Sequence, residues 1–198
     1  MKNLLLTLAF ITSLSLMAQK FEAGLVGGFT TSQISGDGLA GFDKAGTRLG
    51  AYITYPLRKK KMNFEVGMQY LQKGSRMPSE KNRISNYNMD LHYLELPFTI
   101  NYAHTNGLVL ESGLGLGVLL KYTEEDANGP LNGEKPNTLA VDFIVGLQYQ
   151  VFNHLKFNLR YGNSLIPIRE ESEVTEHERN KDWYSSLVTF ALMYQISR

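Results

Sequence analysis

Cysteine is absent from all 198 residues, so disulfides, thiol chemistry and cysteine-ligated zinc are excluded. Charge of either sign is not in excess: the net charge is +1, which implies neither nucleic acid nor a bulk polyanion as partner. Long hydrophobic runs are missing too. No segment beyond the start of the chain offers the roughly 18 consecutive apolar residues that a membrane-crossing helix needs. If the mature chain lies in a membrane, it must cross it with strands closed into a barrel, because lipid leaves no open sheet edge satisfied.

The start of the chain is a different matter. Lys2 and Asn3 precede an apolar stretch from Leu4 to Met17, and the small residue Ala18 stands before Gln19 and Lys20. This pattern predicts a cleaved secretory signal peptide over 1–18, too short to be a span. Residues 19–198 then form one domain.

What the rest of the chain has is alternation. Leu139, Val141, Phe143, Val145, Leu147, Tyr149 and Val151 are interleaved with Ala140, Asp142, Ile144, Gly146, Gln148 and Gln150. A neighbouring run places Leu108, Leu110, Leu114, Leu116, Val118, Leu120 and Tyr122 on one face, with Glu111, Gly113, Gly115, Gly117 and Lys121 on the other. Side chains of a strand point alternately to its two faces, so one face is greasy and the other is glycine-rich or charged. A soluble lipocalin-like barrel would turn the bulky face inward and leave the glycine-rich face in water. The large residues facing lipid around a polar interior suit a transmembrane barrel better.

Eight such runs are predicted, over Lys20–Gln33, Ala45–Leu57, Met62–Lys73, Met89–Tyr102, Gly107–Tyr122, Thr138–Phe152, Leu155–Ile166 and Asp182–Ile196. Each exceeds the ~9 to 11 residues that carry a tilted strand across a bilayer. Short links (Arg58–Lys61, Ala103–Asn106, Asn153–His154) alternate with long ones (Ser35–Lys44, Gly74–Asn88, Thr123–Asn137, Pro167–Lys181). Outer-membrane barrels put short turns in the periplasm and long loops outside. The expected architecture is therefore all-β: an eight-stranded antiparallel up-and-down transmembrane barrel in the cell outer membrane, monomeric, with both termini in the periplasm. Aromatic residues near strand ends (Tyr55, Tyr70, Tyr93, Tyr102, Tyr122, Phe152, Tyr161, Trp183, Tyr184 and Tyr194) are expected to form two interfacial girdles.

The inward register carries Glu22, Arg48, Asn63, Glu65, Gln69, Lys73, Glu95, Thr99, Asn101, Glu111, Lys121, Asp142, Gln148, Lys156, Asn158 and Arg160. Glycines 24, 28, 46, 50, 67, 113, 115, 117, 146 and 162 share that face and leave room for these long side chains. An eight-stranded barrel is just wide enough to be filled by its own residues. Arg48, Glu65, Glu95, Glu111, Asp142 and Arg160 are the candidate site: a salt-bridged plug, or else a narrow proton or ion path.

Signals for catalysis are weak. His92, His104, His154 and His177 stand in no nucleophile constellation, so a lipid-modifying enzyme is the third-ranked reading. The acidic stretch holding Arg169, Glu170, Glu171, Glu173, Glu176, His177, Glu178 and Arg179 matches no calcium-loop spacing and reads as a solvated, mobile surface loop. The Glu124, Glu125, Asp126 run reads the same way. No cofactor or metal is expected. Arg58, Lys59, Lys60 and Lys61 make a basic turn suited to anionic lipid headgroups or an acidic partner.

Several stretches carry a resemblance: Gly24–Phe29, Gly46–Tyr55, Phe64 through Gly74, Gly113–Gly117 and, most specific, Tyr93-Leu94-Glu95-Leu96-Pro97-Phe98. Pro97 is expected at a bulge that aims Glu95 inward. On these residues the chain resembles the PorT-like outer-membrane β-barrel family of Bacteroidota. The resemblance implies a non-enzymatic barrel and supplies no catalytic residues. Its namesake is associated with protein secretion and gliding. The expected role is therefore structural or interactive, with outer-membrane lipid, lipopolysaccharide and envelope or secretion-system proteins as partners. Transport of a small solute or ion is the alternative.

Overall fold

The computed structural model describes residues 21–39, 41–58, 61–77, 87–131, 134–169 and 182–197. The expected signal peptide, Lys59 and Lys60 of the basic turn, and most of the acidic loop, including His177, lie outside the described residues. Strands run β1 Glu22–Ser35, β2 Lys44–Pro56, β3 Met62–Arg76, β4 Asn88–Ala103, β5 Leu108–Asp126, β6 Gly129–Pro130, β7 Leu139–Phe152, β8 Leu155–Ser164 and β9 Tyr184–Ser197. Each strand pairs antiparallel with its neighbours in the order β4-β3-β2-β1-β9-β8-β7-β5, and a β4–β5 pairing closes the ring. The two-residue β6 folds back onto the end of β5 and takes no part in closure. The eight predicted runs correspond to the eight closing strands, with ends shifted by a few residues.

The pleat sorts the side chains as the alternation requires. Leu25, Leu49, Met68, Leu110, Phe143 and Leu192 point outward and are exposed, whereas Arg48, Glu65, Glu111, Asp142 and Arg160 point inward and are buried. Glu95, flanked by outward Leu94 and half-buried Leu96, is inward as expected.

Two expectations fail in register. Between His92 and Tyr93 the β4–β5 ladder slips: His92 faces Lys121 while Tyr93 faces Leu119, so Leu120 is the extra, bulged residue. Beyond it the parity of β5 inverts. Lys121 is exposed on the outer face, not in the lumen, and Tyr122 packs inward against the buried core instead of meeting lipid. Pro97, by contrast, sits in an unshifted stretch, opposite Gly115. Its ring lies against the space of Gly67, where a Cβ would meet Pro97 Cγ at 3.0 Å.

The girdles are partly as expected. Tyr55, Tyr102, Phe152 and Tyr194 are exposed near the short-turn end, and Tyr161 is exposed on the other half. Tyr93, however, is buried, and Trp183 packs with Tyr122 against the core.

Candidate functional site

Interior rows of paired residues explain why the lumen closes. Glu111 pairs with Gly146 across β5 and β7, and Gly146 pairs with Arg160 across β7 and β8. The glycine leaves an open gap on the inner face, and the two long side chains meet over it. Arg160 Nε donates to Glu111 Oε1 at 2.7 Å and Nη2 donates to Oε2 at 3.3 Å, a two-pronged charge-assisted contact. A Cβ at position 146 would strike Glu111 Oε1. Glu65 lies 3.8 Å from the same guanidinium.

Arg48 holds no carboxylate directly. Its Nε donates to Gln69 Oε1 and its Nη1 to Asn158 Oδ1, both at 2.7 Å. Those amides pass the polarity on: Gln69 Nε2 donates to Glu95 at 2.6 Å and Asn158 Nδ2 to Glu111 at 3.1 Å. Each amide must therefore present its oxygen to the cation and its nitrogen to the acid. Asn101 donates to Glu65 at 2.9 Å, and Gln148 donates to Glu111 at 2.8 Å.

Asp142 belongs to a separate pair. Lys73 Nζ donates to its two oxygens at 2.8 and 3.2 Å and also lies 4.7 Å over the Tyr93 ring. The six residues expected to form one site thus form two units, one of five around Arg160 and Arg48, one of Asp142 with Lys73. Lys73 was legible as inward; that it partners Asp142 was not, because the two come from strands 69 residues apart.

Toward the long loops the interior holds an apolar cluster, with buried Ser32, Lys73, Ser75 and Ser185 beside it. Ile34, Leu71, Met89, Leu91, Tyr93, Ala140, Ile168 and Leu187 are buried together. Between this layer and the charges, the cavity lined by Arg48, Gln69, Glu95, Asp142, Arg160 and their apolar neighbours has a volume of about 10 Å³, the space of a single water. Toward the short turns the interior opens into a polar recess of about 290 Å³ lined by Glu22, Gln150, Asn153, Lys156 and Gln195.

The stretch that reads as solvated acid is partly nothing of the kind. Glu124 is buried; Arg169 donates to it at 2.6 Å and Tyr87 Oη at 2.7 Å. Arg169 also stacks 4.6 Å over Trp183. Asn137 N–H donates to Ile168 O at 2.7 Å, tying a second long loop to this cluster. No sequence signal distinguishes Glu124 from exposed Glu125, because only the bulge at Leu120 fixes which of them faces in.

Of the histidines, His92 is hydrogen-bonded through Nδ1 to Tyr70, while His104 and His154 lie beside Tyr102 and Tyr194. Among the described residues, no group of three or more acidic or histidine side chains is arranged to hold a metal.

Residues 17–170 match the family described as outer membrane protein beta-barrel domain, well over half of the chain. The chain belongs to this family. It is an outer-membrane protein, and its fold is shared with solved barrels of that membrane. Ail, the attachment invasion locus protein of Yersinia pestis, aligns at 14% identity over 89% of this chain and 99% of its own, with a TM-score of 0.53. A second structure of Ail, in complex with the heparin analogue sucrose octasulfate, aligns at 13% identity over 89% and 99%, with a TM-score of 0.54. Neisserial surface protein A aligns at 13% identity over 89% and 97%, with a TM-score of 0.52. No curated protein sequence matches the chain. The likeness to these structures is one of fold.

Proposed function

We propose that this protein is a plugged outer-membrane barrel that acts through its surface, as a structural or interaction protein rather than a pore, with partners in secretion or envelope assembly, a reading supported by the PorT-like resemblance. One observation carries the reading: Arg160 and Glu111 meet inside the lumen over Gly146, and Lys73 of β3 reaches Asp142 of β7 beside the apolar cluster. A buried, doubly hydrogen-bonded ion pair is costly to break, and the apolar residues beside it offer an ion no substitute for its water. Among the described residues the plug lies inward of the short-turn recess, and the cavity beside it holds about 10 Å³. The work then falls to the loops and turns.

Three experiments test it. In planar bilayers the folded protein is expected to be electrically silent; stepwise conductance would sink the plug and favour solute or ion transport. Crosslinking the tagged protein in intact outer membranes is expected to capture secretion or envelope-assembly components reproducibly. Capture of abundant neighbours alone would remove the partner reading. Unchanged lipid profiles on deletion are expected, and altered acyl composition would instead favour a lipid-modifying enzyme.

A further inference from the structure

We infer that His92 and Lys121, side by side on the outer surface of β4 and β5, bind the phosphate of an outer-leaflet lipid headgroup. The inference rests on the outer-membrane placement already given. Toward the long loops the apolar outward series of most closing strands ends at a polar outward residue: Thr31 on β1, Thr47 on β2, Gln72 on β3, Asn163 on β8 and Ser186 on β9. On β4 and β5 those residues are His92 and Lys121, and they are the ionisable members of this rim among the described residues. They are also directly opposed in the ladder. Opposed side chains on one face of an antiparallel pair stand about 5 Å apart at Cβ, close enough to share one phosphate.

The bulge at Leu120 creates the pair. Without it Lys121 would point into the lumen with the residues that precede it in alternation. With it, a cation emerges immediately beyond exposed Val118 and Leu120, at the level where lipid headgroups begin. The surroundings are prepared for an anion. Tyr70 engages His92 Nδ1, which fixes the ring and leaves Nε2 to meet a ligand. The nearest outward acid, Asp90, is already neutralised: Lys44 lies at 2.5 Å, and Gln72 and Asn88 each donate to it at 3.0 Å. Lys121 has no carboxylate partner among the described residues, and Arg76, exposed farther out on β3, adds positive charge to the same quadrant.

The test folds the full chain into phosphatidylcholine vesicles containing a minority of diphosphoryl lipid A, or lipid A stripped of its phosphates. After mild extraction, native mass spectrometry counts the lipid that stays bound. The wild-type barrel is expected to retain the diphosphoryl lipid in preference to the stripped one. His92→Gln with Lys121→Gln is expected to lose roughly fivefold or more of that preference, a surface lysine alone being worth about fivefold. Lys135→Gln, in a long loop, is expected to keep it. Equal retention of the two lipids by wild type, or an unaltered preference in the double variant, overturns the site. Where the double variant fails to insert, Lys121→Gln alone decides by the same comparison. Failure of the wild-type chain itself to enter vesicles would count against membrane placement, which separates the two conclusions.

Discussion

Arg160 Nε lies 2.7 Å from Glu111 Oε1, although their strands are not neighbours: β7 runs between them and contributes only Gly146 to the row. The contact exists because one position in that row has no side chain. It fills the lumen with a buried charge pair whose carboxylate also accepts from Gln148 and Asn158, while Arg160 Nη1 is buried with no hydrogen-bond partner among the described residues.

Arg160→Met leaves Glu111 and Glu65 buried without their common cation. The expected cost is about 3 to 5 kcal/mol, read by urea unfolding in lipid vesicles. Adding Glu111→Met removes an orphaned charge and is expected to restore part of the loss. Equal stability of the single variant and wild type would show that the pair is not what holds the interior.

Gly146→Val tests the gap itself. A Cβ there meets Glu111 Oε1 and lies 2.7 Å from Leu159 O, both close enough to force movement, and the expected loss is about 1 to 3 kcal/mol. Gly27→Ala is the matched control on the outer face, where a Cβ would meet only Leu49 Cδ2 at 3.5 Å. Its effect is expected to stay within about 0.5 kcal/mol.

Val145→Arg decides which face meets lipid. Val145 is 37% exposed on the outside while its neighbour Ile144 is 2% exposed inside. A charge on the lipid face near mid-membrane costs roughly 2 to 4 kcal/mol, so the fraction inserted into vesicles is expected to fall sharply. Undiminished insertion would revive the lipocalin-like arrangement.

The latch of Glu124, Arg169 and Tyr87 lies beyond the lipid-facing series that ends at Leu120, and its response to pH has a definite sign. Burial raises the Glu124 carboxyl, but hydrogen bonds from Arg169 and Tyr87 and the Arg169 charge outweigh it and hold the group below the usual carboxylate range. Stability from a depressed carboxyl is present above the unfolded value of about 4.3 and is lost as pH falls through the folded value beneath it. Trp183 is the sole tryptophan and stacks on Arg169, so its fluorescence reports the latch. The emission is expected to hold steady from about pH 8 to about pH 5 and to shift at lower pH. Glu124→Gln is expected to show the shifted emission already at neutral pH; emission identical to wild type would remove Glu124 from the latch.

Much of this protein was legible in the order of its residues. Period-two alternation fixes which face each side chain takes, because the pleat turns successive residues to opposite sides whatever the strand pairs with. From Leu139 to Val151 that local rule places every inward and outward residue correctly, and the alternation of short and long links sets strand number and antiparallel order. All six candidate lumen residues are inward for the same reason. What the alternation cannot contain is a partner. Arg160 and Glu111 are 49 residues apart, and Lys73 and Asp142 are 69; their meeting depends on the stagger between strands, which only the closed ring determines. The slip at Leu120 is likewise invisible in a single strand, since a bulge is a relation between two. That one slip sent Lys121 to the outer face and turned Tyr122 and Glu124 inward, under the long loops. The sequence by itself determined a barrel and its two faces, because facing is a local property of the backbone. The tertiary structure alone decided which charges pair across the lumen, where the interior turns apolar and which loop residues fold in, because those are properties of register.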